Sequence, residues 1–139
     1  QMCIRDSKRT DSEHLTGGAM QDCKVNILGT EWNIIFQTIE QDKAFADCDG
    51  YCDPTVKKIH VRLYTDEEVK EQKFGYESRE EHRKRVIRHE ILHAFMFESG
   101  LWQNSFCADV PWAMGEEMID FYAIQSPKIF KVFQELDIL

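Results

Sequence analysis

The sequence predicts an α+β domain in which a small, mostly antiparallel sheet lies beside one long helix, with two further helices after it. Two observations lead there. Short alternating runs rich in β-branched and aromatic residues, bounded by turn residues, fill the first half of the chain, and long apolar stripes at helical spacing fill the second. The chain has 139 residues with 42% apolar content, enough for a single core without disulfide staples, and it contains no internal repeat or low-complexity segment.

Residues 1–19 are expected to stand outside that domain. Gln1-Met2-Cys3-Ile4-Arg5-Asp6-Ser7 resembles the translation of a transposase adapter used in sequencing libraries, and residues 8–19 are polar with a Gly17-Gly18 pair. A native start at Met20 leads straight into a strand pattern, so the expectation is a non-native or disordered segment over 1–19 and one domain over 20–139. The first strands are Lys24–Leu28 and Glu31–Gln37, a hairpin about Gly29-Thr30. A polar loop follows over Thr38–Lys43. Ala46–Asp53 and Lys58–Leu63 form a second hairpin whose turn is set by Asp53-Pro54, with the later run alternating apolar and polar residues. Tyr64–Tyr76 fits either a short helix or an ordered loop.

The next element starts at the capping-box pattern Ser78-x-x-Glu81, carries Val86, Ile87, Ile91, Leu92 and Phe95 as a core stripe, and ends at Gly100. Leu101–Ala113, with Trp102, Phe106, Pro111 and Trp112, is a loop apolar enough to cover the core or wall a cleft. Gly115–Ile124 is a second amphipathic helix. Pro127 at a helix N1 position then opens a terminal helix over Lys128–Leu136, with Ile129, Phe130 and Phe133 packing inward.

Inside the long helix lies His89-Glu90-Ile91-Leu92-His93. Residues four apart share a helix face, so both imidazoles reach one ion, and a half-buried histidine pair without a ligand or partners is costly. Two neutral imidazoles, a carboxylate and an open position make the donor set of a catalytic zinc that carries water. Glu90 stands beside that open position, where it takes a proton from the water.

A third ligand has to come from elsewhere. The positions that would continue a metzincin motif hold Met96 and Ser99, which excludes that class, and Glu98 is rotated off the ligand face. Glu116 and Asp120 share one face of the later helix, so one carboxylate can bind the metal while the other accepts the outer N–H of a ligand histidine. Glu117 is the alternative ligand, turned about 100° away.

His89-Glu90-x-x-His93 followed by Glu116-x-x-x-Asp120 resembles the gluzincin class of zinc metallopeptidases. The size and the Glu-Glu-x-x-Asp-x-x-Ala run are similar to minimal gluzincins and ImmA/IrrE-type peptidases of phages and mobile elements. The layout is shared over about Lys24–Phe133, but only the two helical motifs are specific. The resemblance implies a zincin-like fold, Zn2+ held by His89, His93 and Glu116, Asp120 behind a ligand histidine, and peptide-bond hydrolysis with Glu90 as general base. It also implies that the Lys58–Leu63 strand forms the cleft rim, with His60 as an optional substrate contact. The histidine or tyrosine that some gluzincins use to stabilise the oxyanion has no match here.

Other features take plainer readings. Cys48-x-x-x-Cys52 lacks a second ligand pair and reads as packing; the Asp47, Asp49 and Asp53 cluster fails the calcium-loop register and reads as a turn. His82 lies two helical turns before His89, too far to be a fourth ligand. Arg83-Lys84-Arg85 follows Glu80 and Glu81 and reads as a salt-laced helix face. The net charge of −8 argues against nucleic acid or an anionic membrane as partner, and leaves a protein or peptide substrate. Five cysteines in no even framework, with no long apolar run or signal sequence, suit a reduced cytoplasm. The oligomeric state stays open. The rival is a non-enzymatic interaction protein in which zinc or a hydrogen-bonded network at the same residues braces the fold, with Cys107 or Glu117 closing a fourth position.

Overall fold

The first hairpin turns one residue earlier than its glycine-threonine pair implies. β1 (Cys23–Ile27) and β2 (Thr30–Gln37) pair antiparallel with Ile27 opposite Thr30, which leaves Leu28-Gly29 as the turn. Both residues have positive φ, 49° and 93°, the conformation whose twist matches paired strands. Gly29 adopts it without a Cβ penalty, and Asn26 Oδ1 accepts its N–H at 2.9 Å. The computed structural model describes residues 21–71, 76–102 and 112–139. The 1–19 segment and the Met20 start therefore lie outside the described residues, as do Phe106, Cys107 and Pro111.

The sheet has four strands in the order β1-β2-β4-β3, where β3 is Gly50–Asp53 and β4 is Lys58–Arg62. Two pairings are antiparallel, but β2 and β4 run parallel, so the sheet is mixed. This placement corrects the expected rim. β4 is interior, because Ile59 and Val61 bury one of its faces completely while its backbone pairs on both sides. β3 is an edge strand, as is β1 on the far side of the sheet. His60 alternates to the face away from the core, stacked on Tyr51 at 4.4 Å and bonded to Gln37 Oε1 at 2.9 Å, so it does not reach a cleft.

Between β2 and β3, Asp42 caps a 3-10 turn over Lys43–Ala46 that buries Phe45. Helix α1 (Asp66–Glu71) settles the ambiguous Tyr64–Tyr76 stretch in part. Thr65 and Glu68 form a reciprocal capping box: the Thr65 N–H donates to Glu68 Oε2 at 2.8 Å and the Glu68 N–H to Thr65 Oγ1 at 3.3 Å.

Helix α2 (Tyr76–Glu98) starts ahead of Ser78, and the Glu81 carboxylate expected to cap it pairs with Lys84 at 3.0 Å instead. It ends in the left-handed residue Gly100, φ 79°. Val86, Ile87, Ile91 and Phe97 pack against Ile27, Trp32, Ile34, Ile59, Val61 and Ala94, whereas Phe95 stays exposed because the buried stripe runs through Ala94. Glu98 anchors the far end of α2, accepting from Trp32 Nε1 at 2.8 Å and Thr30 Oγ1 at 3.0 Å and pairing with Lys57 at 2.9 Å.

Helix α3 (Glu116–Glu135) is continuous, which corrects the expected break at Pro127. Proline has no N–H to give the carbonyl four residues back, that of Ala123. Arg88 Nε donates to that oxygen at 2.6 Å, so the buried acceptor is satisfied from α2 and the helix runs on. Burial on α3 stops at Ile119 and Ala123; Phe130 and Phe133 are exposed rather than packed inward. No described helix is long and apolar enough to cross a membrane.

Candidate metal centre

Three ligand-type side chains converge where α2 faces the start of α3. His89 Nε2 lies 3.0 Å from His93 Nε2 and 3.1 Å from Glu116 Oε2, and His93 Nε2 lies 3.4 Å from Glu116 Oε1. The helical period of α2 stacks the two rings, 4.7 Å between centroids, and Gly115 caps α3 so that Glu116 occupies its first turn. Asp120, one turn later, approaches His89 Nδ1 at 3.0 Å. Glu117 does not join the group, and Glu98 is committed to Trp32 at the other end of α2.

The donor chemistry of this arrangement suits a cation. With the proton of His89 on Nδ1, toward Asp120, His89 Nε2 presents a lone pair, and that lone pair points at His93 Nε2 and a carboxylate. Lone pairs at these distances repel unless a proton or a metal ion lies among them. A tetrahedral zinc with bonds of about 2.0–2.1 Å has ligand–ligand edges of roughly 3.3 Å. The observed 3.0–3.4 Å separations fit that edge. Burial lowers the His93 imidazole below its usual range, favouring the neutral form a metal needs, with Glu116 opposing and His89 adding to the shift. Among the described residues His93 Nδ1 is buried without a hydrogen-bond partner, and Trp102 packs edge-on to the ring at 5.4 Å.

Glu90 points to the sheet side of the same site. It is only 6% exposed, and burial pushes its carboxyl up to about 8, with the Glu116 charge acting in the same direction. Its carboxyl therefore keeps a proton to higher pH than a solvated carboxylate does. Gly50 allows the close approach of β3. A Cβ there would lie 2.6 Å from Val86 Cγ1 and 3.2 Å from Glu90 Cγ.

Because the Arg62 N–H donates to the Asp49 carbonyl, the ladder alternation turns the backbone groups of Gly50 and Cys52 away from β4, along an edge that no strand pairs among the described residues. That edge and α2 bound a cavity of about 340 Å³ lined by Cys48, Cys52, His89, Glu90, Trp102 and Glu116 among others. Cys52 packs against the core and burial raises its thiol to about 12, in keeping with a packing role.

Sequence reasoning missed three contributors. Gly50 in a strand was a readable sign of close backbone approach. Asp49, taken for a turn residue, accepts from Tyr64 Oη and from His82 Nε2, the latter at 2.7 Å. Arg88 carried no local signal, since its partner is a carbonyl on another helix. The chain matches no known family model, and comparisons with curated proteins and with solved structures likewise gave no match.

Proposed function

We propose that this chain is a zinc-dependent metallopeptidase of the gluzincin type, with His89, His93 and Glu116 as ligands, Asp120 orienting His89, and Glu90 as general base. The observation that carries the reading is the convergence of His89, His93 and Glu116 beside a buried Glu90 and an open strand edge. When bound, zinc supplies Lewis acidity, lowering the pKa of a water and polarising a carbonyl. Asp120 holds the proton of His89 on Nδ1 and so keeps Nε2 free for the ion. An extended substrate adds to β3 through the outward backbone groups of Cys52, which lays its scissile carbonyl along the face of Glu90. Glu90 removes a proton from the attacking water and returns it to the leaving amine, and its burial keeps that proton from bulk solvent.

The substrate is a protein or peptide, and the reduced cytoplasm of a bacterial or phage-infected cell suits the free thiols of Cys23, Cys48 and Cys52. Among the described residues the group has three donors, the number that a catalytic zinc takes from its protein. Glu90→Gln tests the proposal. It should hold one zinc per chain and lose peptide turnover by about 10²–10⁴-fold. Turnover equal to wild type, or purified wild-type protein that takes up no zinc, would rule the reading out.

A further inference from the structure

We propose that Arg85 binds a carboxylate of the substrate, so that the peptides cleaved carry an acidic side chain on the Arg85 side of the scissile bond. The inference rests on the peptidase reading and narrows its substrate class. Its starting point is the basic run Arg83-Lys84-Arg85, which the structure divides. Arg83 pairs with Glu80 and Lys84 with Glu81, as a salt-laced helix face should. Arg85 pairs with neither. Among the described residues it has no ion-pair or hydrogen-bond partner, and it lines a recess of about 170 Å³ that also borders His89 and Glu90.

Of the three carboxylates that line the recess, two are paired and the third, Glu90, is only 6% exposed. Asp49 accepts from Tyr64 and His82 and lies 3.9 Å from Arg62, while Asp120 approaches His89 Nδ1 at 3.0 Å. The cation of the recess without a partner among the described residues is the exposed Arg85, one helical turn from His89 on the same face of α2. Its planar fork matches a carboxylate through two parallel, charge-assisted hydrogen bonds. The cavity on the other side of Glu90 is different. Cys48, Cys52 and Trp102 line it, with no Lys or Arg, so the preference for acid is one-sided.

The test uses zinc-loaded Glu90→Gln protein and three fluorescent libraries of acetylated decapeptides, identical except that a scanned position holds Glu, Gln or Lys. Wild-type protein is assayed for cleavage of the same libraries. The Glu set should bind about five- to tenfold more tightly than the Gln set. Arg85→Gln should erase that preference while zinc content stays at one per chain, and Arg85→Glu should transfer it to the Lys set. Equal binding of the Glu and Gln sets, or a preference that survives Arg85→Gln, overturns the role of Arg85 and leaves the peptidase reading standing if wild-type protein still cleaves. No binding and no cleavage of any set overturns both.

Discussion

Helix α2 leans on two partners of opposite character. Toward the sheet it meets hydrocarbon: Trp32, Ile34, Ile59 and Val61 are buried, and Glu98 ties its last turn to the first hairpin. Toward α3 it meets a smaller apolar patch, the buried Ile119 and Ala123, beside polar groups, where Glu116 and Asp120 have side chains 67% and 54% exposed. The difference teaches where each part of the centre gets its position. The sheet fixes His89, Glu90 and His93 through the rigid helix that carries them. The third ligand of the proposed reading stands on an element docked through two buried apolar residues and a few polar contacts, so on that reading the ion itself helps dock α3.

The largest effect should come from the sheet side. Trp32→Ala removes a fully buried indole and the bond to Glu98, and should cost about 3–5 kcal/mol in urea unfolding. The gain in stability on adding zinc should stay the same in that variant. A loss of the zinc increment together with the core would mean that the two sides form one unit, and the contrast would fail.

The α3 side should answer to the ion instead. Zinc at a hundredfold excess over its dissociation constant stabilises the folded state by about 2.7 kcal/mol. Glu116→Gln should lower that increment sharply while leaving the metal-free melting temperature within about 2 °C, because its carboxylate is mostly solvated. Equal zinc increments in wild type and Glu116→Gln would remove Glu116 from the ligand set.

The same contrast governs what could be read from the chain. Periodicity along one helix is local, so the sequence pointed to the shared face of His89 and His93 and to that of Glu116 and Asp120, and their separations follow once α2 and α3 pack. Strand order is not local. Nothing in the alternation of Lys58–Arg62 distinguishes an interior strand from a rim, and the edge fell to β3 because β4 buries Ile59 and Val61 between two partners. The capping box Thr65-x-x-Glu68 was legible and would have settled α1. Asp49 and His82 are 33 residues apart, and no spacing rule joins them. Pro127 misled for a physical reason, since the rule that proline ends a helix assumes that the freed carbonyl finds no other donor.

That exception supplies the smallest and most specific test. Arg88 Nε satisfies the buried Ala123 oxygen only because Pro127 cannot, so the two residues are coupled across the α2–α3 interface. Arg88→Met should destabilise the protein by about 1–3 kcal/mol, the cost of a buried acceptor without a donor. In a Pro127→Ala background the restored N–H reaches the same carbonyl, so the Arg88→Met cost should fall by about 1 kcal/mol or more in a double-mutant cycle. Zinc affinity should follow the same cycle, because Arg88 adjoins His89 while Ala123 lies on the helix that carries Glu116. Additive costs in both stability and zinc affinity would mean that α3 is held without Arg88, and that its attachment depends on the histidine–carboxylate contacts alone.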